Sequence, residues 1–311
     1  MGVLIGTLTG YVDFTYIKRI NHKKSFRLLF LYKTISYISS IVFVCVLAGI
    51  IINNYYSDFF REVNLGENVQ NIIFYYLVSI FVYSSLIGLF ISFLSQASIK
   101  FGKGVLLSLI TGKYYKPEVE NRIFMFLDIK GSTKHAEKLG HIKYSELLQD
   151  CIYDLNAEVM HTHAQIFQYV GDGVVLTWKM GSPDENLDCI EFFFRFVKRL
   201  NADKKYYTEK YGFVPNYKAG VNGGIVTATE IGNLKREIAY HGDTINTAAR
   251  IQELCSDMNK QLLVSENMIR LANLSDQFSS ESLGEFEFRG KEKIVKVYSV
   301  DLMKKTVAEK S

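Results

Sequence analysis

The chain has 311 residues, enough for one or two domains, with 48% hydrophobic and 22% charged side chains. Its net charge of +4, from 36 basic against 32 acidic residues, gives no ground for a nucleic-acid partner. Cys45, Cys151, Cys189 and Cys255 form no close pairs, which excludes a disulfide framework and a zinc-binding spacing and suits a reducing compartment.

Residues 1–16, MGVLIGTLTGYVDFTY, are apolar but short, and they carry Asp13 and lack a basic leader. They suit an interfacial segment, a partial span or the remnant of a longer membrane region. Beyond them, no charged residue occurs from Thr34 to Ile52 or from Val69 to Ile99. Each run reaches the roughly 20 residues needed to cross a hydrocarbon core. Two transmembrane helices are therefore expected, over about 28–52 and 70–97, with a short external loop at 53–69, all within a membrane region of 1–97. Lys18, Arg19, Lys23, Lys24 and Arg27 precede the first run, and Lys100, Lys103, Lys113 and Lys116 follow the second. The positive-inside rule places both basic flanks, and everything after them, in the cytoplasm.

Residues 98–119 read as a juxtamembrane linker. Val105, Leu106, Leu109 and Ile110 fall at helical spacing, and Gly112 is a natural stop. Such a helix could rest on lipid or couple two protomers.

A soluble domain is expected over 120–303, with a tail at 304–311. RIFMFLD (122–128) is an apolar run ending in Asp128, a buried strand with an acid at its C-terminal end. An acid there is costly unless paired or metal-bound. Gly131 and Ser132 open a helix, with Ser132 as its cap. A helical stretch over 141–163 leads to QIFQYVGDGVVLTW (165–178), two strands joined by a Gly-Asp-Gly turn. Asp172 at that turn is by itself a turn residue. If the hairpin pairs beside the first strand, Asp128 and Asp172 converge, and two carboxylates suit a hard divalent cation. His161 and His163 form a tempting pair, but HTH at the end of a helix reads as solvent-facing or core.

In ENLDCIEFFFRFVKRL (185–200), Ile190, Phe193, Val197 and Leu200 form one apolar stripe, a core helix. YKAGVNGGIVTATEIG (217–232) is strand interrupted by glycine. Gly242 and Asp243 then open a helix, with the acid at its positive end. Asn246 and Arg250, four apart, share one face of it. They suit surface decoration, or an amide and a guanidinium presented to a nucleotide.

The stretches FMFLDIKGST, QYVGDGVV, AGVNGGIVTATEIG, YHGDTINTAARI and LGEFEFRGKEKIVKVYSV stand in the order of a known family. From about 120 to 301 the chain resembles the class III adenylate/guanylate cyclase catalytic domain, in the form anchored to bacterial inner membranes. The resemblance implies an α+β fold with a ferredoxin-like βαββαβ core, here preceded by transmembrane α-helices. It implies that Asp128 and Asp172, with the carbonyl of Ile129, hold two divalent cations, Mg²⁺ or Mn²⁺. Asn246 matches the residue that orients the ribose, and Arg250 the arginine that stabilises the α-phosphate. Arg289 stands where the family usually has a phosphate-binding lysine, which keeps the charge but changes the geometry. The active unit is expected to be a homodimer that completes two shared sites.

Two positions depart from the family pattern. Gln168 replaces the Lys of adenylate cyclases or the Glu of guanylate cyclases, and Ala239 replaces Asp, Thr or Cys. Gln168 can donate and accept, and Ala239 offers no side-chain hydrogen bond. The expected substrate is ATP, with GTP discriminated weakly. A guanylate cyclase and a weakly catalytic nucleotide-binding signalling domain are the alternatives.

Overall fold

The computed structural model describes residues 26–62, 67–102, 105–275, 277–288 and 294–303. The chain divides into two compact units, Met1–Leu106 and Leu107–Ser311.

The first unit holds two long helices, α1 (Phe26–Glu62) and α2 (Glu67–Phe101), packed on one another. Both outrun the expected spans: α1 continues through most of the expected loop, and α2 begins again at Glu67. Among the described residues, one stretch is long and apolar enough to cross a membrane, Val78–Ser95, with a mean hydropathy of 2.0. Thr34–Leu47 is a shorter apolar stretch, so the expectation of two spans is met by one such segment. Residues 1–16 and 304–311 lie outside the described residues. Helix α3 (Val105–Ile110) is followed by Gly112 in the left-handed region, φ 65°. Glycine takes that conformation without the Cβ clash that other residues meet.

The second unit is built on an eight-stranded mixed sheet: β1 (Glu118–Ile129), β2 (Gln165–Val170), β3 (Gly173–Lys179), β4 (Tyr217–Ile231), β5 (Glu237–His241), β6 (Leu262–Ser265), β7 (Phe278–Phe286) and β8 (Val295–Leu302). The order is β2-β3-β1-β4-β6-β8-β7, with β5 paired to β4. Its first half is a ferredoxin-like βαββαβ arrangement, antiparallel throughout.

Helices α4 (Ser132–Leu139) and α5 (His141–Val159) join β1 to β2, and α6 (Pro183–Ala202) and α7 (Lys204–Tyr211) join β3 to β4. Side chains of α5, α6 and α7 pack with Ile123, Met125, Leu127, Leu176 and Trp178 into the larger core. The stripe Ile190, Phe193 and Leu200 is fully buried there, with Val197 partly so. A Ser182–Glu185 capping box and Pro183 fix the start of α6. Helix α8 (Asp243–Asp257) crosses from β4 to β6, which run parallel, and covers the other face. Helix α9 (Glu266–Leu271) follows β6. With helices on both sides, β1 is buried on both faces, which is why FMFL shows no polar alternation.

Two local expectations change. Ser132 does not cap α4: Gly131 holds the cap position at φ 72°, without a side-chain cap bond. The chain leaves β1 through a left-handed residue that only glycine adopts cheaply, which shifts Ser132 into the helix. Helix α5 stops at Val159 rather than continuing to 163. His163 then takes a positive φ of 52°, is exposed, and bonds Asp188 Oδ2 through Nδ1 at 2.9 Å.

Candidate active site

The β2–β3 hairpin brings the two aspartates together. Its turn is Gly171-Asp172, between the paired Val170 and Gly173. Gly171 has φ 61°, the feature of a type II′ hairpin, whose first central residue is glycine. Strand β3 lies directly against β1, with Val174 opposite Leu127. Continuing that register brings the hairpin tip level with Asp128 and Ile129. Both carboxylates are half-buried. Burial first, and then the charge of Asp172, push the Asp128 carboxyl above its ordinary value of 3.8.

Neighbours hold both acids. Ile129, itself buried, donates its backbone N–H to Asp128 Oδ1 at 3.0 Å. Gln252 Nε2 donates to Asp128 Oδ2 at 3.2 Å, and Lys218 Nζ lies 3.4 Å from the same oxygen. Tyr144 of α5 donates a long bond, 3.4 Å, to Asp172 Oδ2. Burial, and then Asp172, push that phenol up to about 12. Helix α8 comes this close because Gly220 of β4 has no Cβ; one there would overlap the backbone of Gln252.

Among the described residues no third acidic, histidine or cysteine side chain joins the two aspartates. Two mutually repelling carboxylates nonetheless fit a hard dication, which takes few protein ligands and completes its shell with water and phosphate oxygens.

Asn246 and Arg250 lie elsewhere on α8. Thr244, Thr247, Ala248, Ile251, Gln252 and Cys255 form its buried side, whereas Asn246 and Arg250 are exposed. Arg250 pairs with Glu253 at 2.9 Å. The residues matched to the metal role and those matched to the nucleotide role thus occupy different surfaces of one chain. Arg289 falls outside the described residues.

Gln168 and Ala239 flank an aromatic cluster that the sequence reading missed. Phe124, Phe167 and Tyr240 meet edge-on, with ring centroids 5.1–6.3 Å apart. A β-bulge between Ile166 and Gln168 turns Phe167 towards this cluster. Buried Arg122 lies over the Tyr240 ring at 4.7 Å. Its Nε donates to Glu120 Oε2 at 2.7 Å. Glu120 also accepts from Lys113 and Tyr114. Burial alone would raise the Glu120 carboxyl, but bonds from Lys113, Arg122 and Tyr114 outweigh it and bring it down to about 2.

Lys218 and Gln252 were also missed. Lys218 stands opposite Asp128 in the β1–β4 register, which is legible only once the pairing is known. Gln252 lies on the buried side of α8, beside the more conspicuous Arg250.

A family model of the adenylate and guanylate cyclase catalytic domain matches residues 114–301. Adenylate cyclase 2 of Rhizobium meliloti (strain 1021) is 37% identical over 199 residues, covering 64% of this chain and 55% of that protein. An adenylate cyclase of Anabaena cylindrica is 23% identical over 180 residues, covering 57% and 36%. The chain thus spans about half the length of the first relative and less of the second. Among solved structures, a bacterial light-regulated adenylyl cyclase superposes with a TM-score of 0.59 at 17% identity, covering 72% of this chain and 65% of that one. The adenylyl cyclase CyaB from P. aeruginosa gives 0.54 at 17% identity, covering 61% and 98%. These superpositions show a shared fold, the mixed α+β sheet of the cyclase domain. With more than half of its length matched by the family model, the chain belongs to the class III adenylate/guanylate cyclase catalytic-domain family.

Proposed function

We propose that this protein is a membrane-anchored adenylate cyclase that converts ATP to cyclic AMP and pyrophosphate at sites shared between two copies of the chain. One observation carries this reading. Asp128 and Asp172 converge at the hairpin tip, while Asn246 and Arg250 of the same chain face solvent on another surface. Each chain thus offers two half-sites, and a second copy supplies what the first lacks, as a two-fold dimer allows.

In the reaction the ribose 3′-oxygen attacks the α-phosphorus, the 3′-hydroxyl proton leaves to solvent, and the bond to pyrophosphate breaks. Asp128, Asp172 and the Ile129 carbonyl would hold two divalent cations. When bound, these supply charge neutralisation at the triphosphate and acidify the attacking hydroxyl. Asp128 and Asp172 contribute charge and position, held by Ile129 N–H, Gln252 and Tyr144. Asn246 of the other copy orients the ribose through its amide. Arg250 places a guanidinium against the α-phosphate, where charge grows in the transition state. Arg289 would contact the terminal phosphates. Gln168 and Ala239 would face the purine edge beside the aromatic cluster.

The relatives named above are adenylate cyclases, which favours ATP. Membrane anchoring rests on Val78–Ser95 and on the exposed apolar side chains of both long helices, among them Ile35, Phe43, Leu86 and Phe90. The catalytic unit would then lie in the cytoplasm. The test is cyclic AMP formation by the purified full-length chain supplied with ATP or GTP and Mn²⁺. A chain that makes neither cyclic nucleotide contradicts the proposal.

A further inference from the structure

Asp128 and Lys218 are directly paired in the β1–β4 ladder, so both side chains project towards α8. Lys218 Nζ is 3.4 Å from Asp128 Oδ2, and the Lys218 side chain is only 16% exposed. The same Nζ donates to Ser256 Oγ at 3.0 Å. Gln252, one helical turn before Ser256, donates to Asp128 Oδ2. The ammonium is therefore held by strand register on one side and by α8 on the other.

A cation fixed there acts against a divalent ion. Asp128 and Asp172 carry two negative charges between them, and Lys218 cancels one. At a separation of a few ångströms, a unit positive charge repels a dication enough to cost at least about tenfold in affinity, even with water-like screening. A nucleoside triphosphate brings several negative charges of its own, which restores the balance for two cations.

Resting on the reading of Asp128 and Asp172 as metal ligands, we propose that Lys218 sets the metal affinity of this site. Divalent affinity stays low in the nucleotide-free protein, and the cation enters as its complex with the nucleoside triphosphate. Lys218 is an affinity-setting, positioning residue and does not touch the reacting atoms.

The experiment titrates Mn²⁺ into the full-length chain and reads the free ion by electron paramagnetic resonance. It compares wild type, Lys218→Gln, Lys218→Met, Lys218→Arg and Asp128→Ala, without nucleotide and with 3′-deoxy-ATP. Lys218→Gln and Lys218→Met remove the charge, and Gln keeps a donor for Ser256. Both are expected to bind Mn²⁺ at least about tenfold more tightly than wild type without nucleotide. Lys218→Arg keeps the charge and should stay within about threefold of wild type. Damage to the fold would weaken binding, so a gain has the opposite sign to a merely structural role. Unchanged or weaker binding in the charge-removing variants overturns the proposal, while loss of nucleotide-dependent Mn²⁺ binding in Asp128→Ala would leave the metal assignment standing. Equal binding by Asp128→Ala and wild type with 3′-deoxy-ATP would instead overturn the metal assignment itself.

Discussion

The rings of Phe167 and Tyr240 meet edge-on with centroids 5.1 Å apart, and each is the sequence neighbour of a position proposed above to face the purine, Gln168 or Ala239. Two strands distant in sequence, β2 and β5, are thereby held together next to those two positions. Neither residue offers a carboxylate or an ammonium to the purine. A site with few dedicated hydrogen bonds rejects the wrong base poorly, because the error leaves no buried polar group unpaired. Wild type is expected to prefer ATP over GTP only modestly in kcat/KM. Gln168→Lys combined with Ala239→Asp should raise that preference by about tenfold or more. A wild type that clearly prefers GTP contradicts the adenylate assignment and leaves the cyclase family untouched.

Asp128→Ala and Asp172→Ala should each lower turnover by at least about 10³-fold, since metal terms are worth several kcal/mol of transition-state charge. Chelation of divalent cations should do the same to wild type and be reversed by added Mn²⁺. Circular dichroism should show both variants folded, because each acid sits at a strand end or turn rather than in the packed core. A folded variant with near wild-type activity removes its residue from the metal site.

Glu120 predicts a pH dependence of stability. Its carboxyl titrates at about 2 in the folded chain against an ordinary 4.5. A depressed value stabilises the fold above the unfolded pKa, and the contribution is lost as pH falls from about 4.5 towards 2. Glu120→Gln also leaves buried Arg122 without its charge partner. The variant should be about 2–4 kcal/mol less stable at pH 7 in denaturant unfolding. The gap to wild type should shrink as the pH falls through this window. A gap that stays constant from pH 7 to pH 3 contradicts the assignment.

Much of the fold was legible because the motifs sit where the chain must turn. Gly-Asp-Gly at 171–173 needs a tight hairpin, and Asp128 ends an apolar run too continuous for a one-sided strand. What escaped depends on pairing across the sheet. Lys218 looks like an ordinary strand lysine until the β1–β4 register sets it against Asp128. Phe167 looks like one more alternating residue until a bulge turns it towards Tyr240. The Ser132 cap failed because propensity favoured serine, whereas the sharp exit from β1 required the left-handed residue that glycine supplies.

Membrane anchoring has a direct topological test. A single cysteine placed within 63–66, the segment between α1 and α2, should react in intact cells with an impermeant maleimide, and one placed after 303 should not. Labelling of the second but not the first contradicts the proposed orientation.

The shared site is the central claim, and complementation tests it most directly. Asp172→Ala removes a residue of the proposed metal half-site of each copy, and Arg250→Ala one of the proposed nucleotide half-site. Each variant alone is expected to be inactive with ATP. After the two are mixed and allowed to exchange, cyclic AMP formation should recover to about a quarter of wild type. Half of the dimers are then mixed, and each mixed dimer holds one intact site of two. Continued inactivity, despite mixed dimers demonstrated by differential tagging, would contradict a site built from two chains.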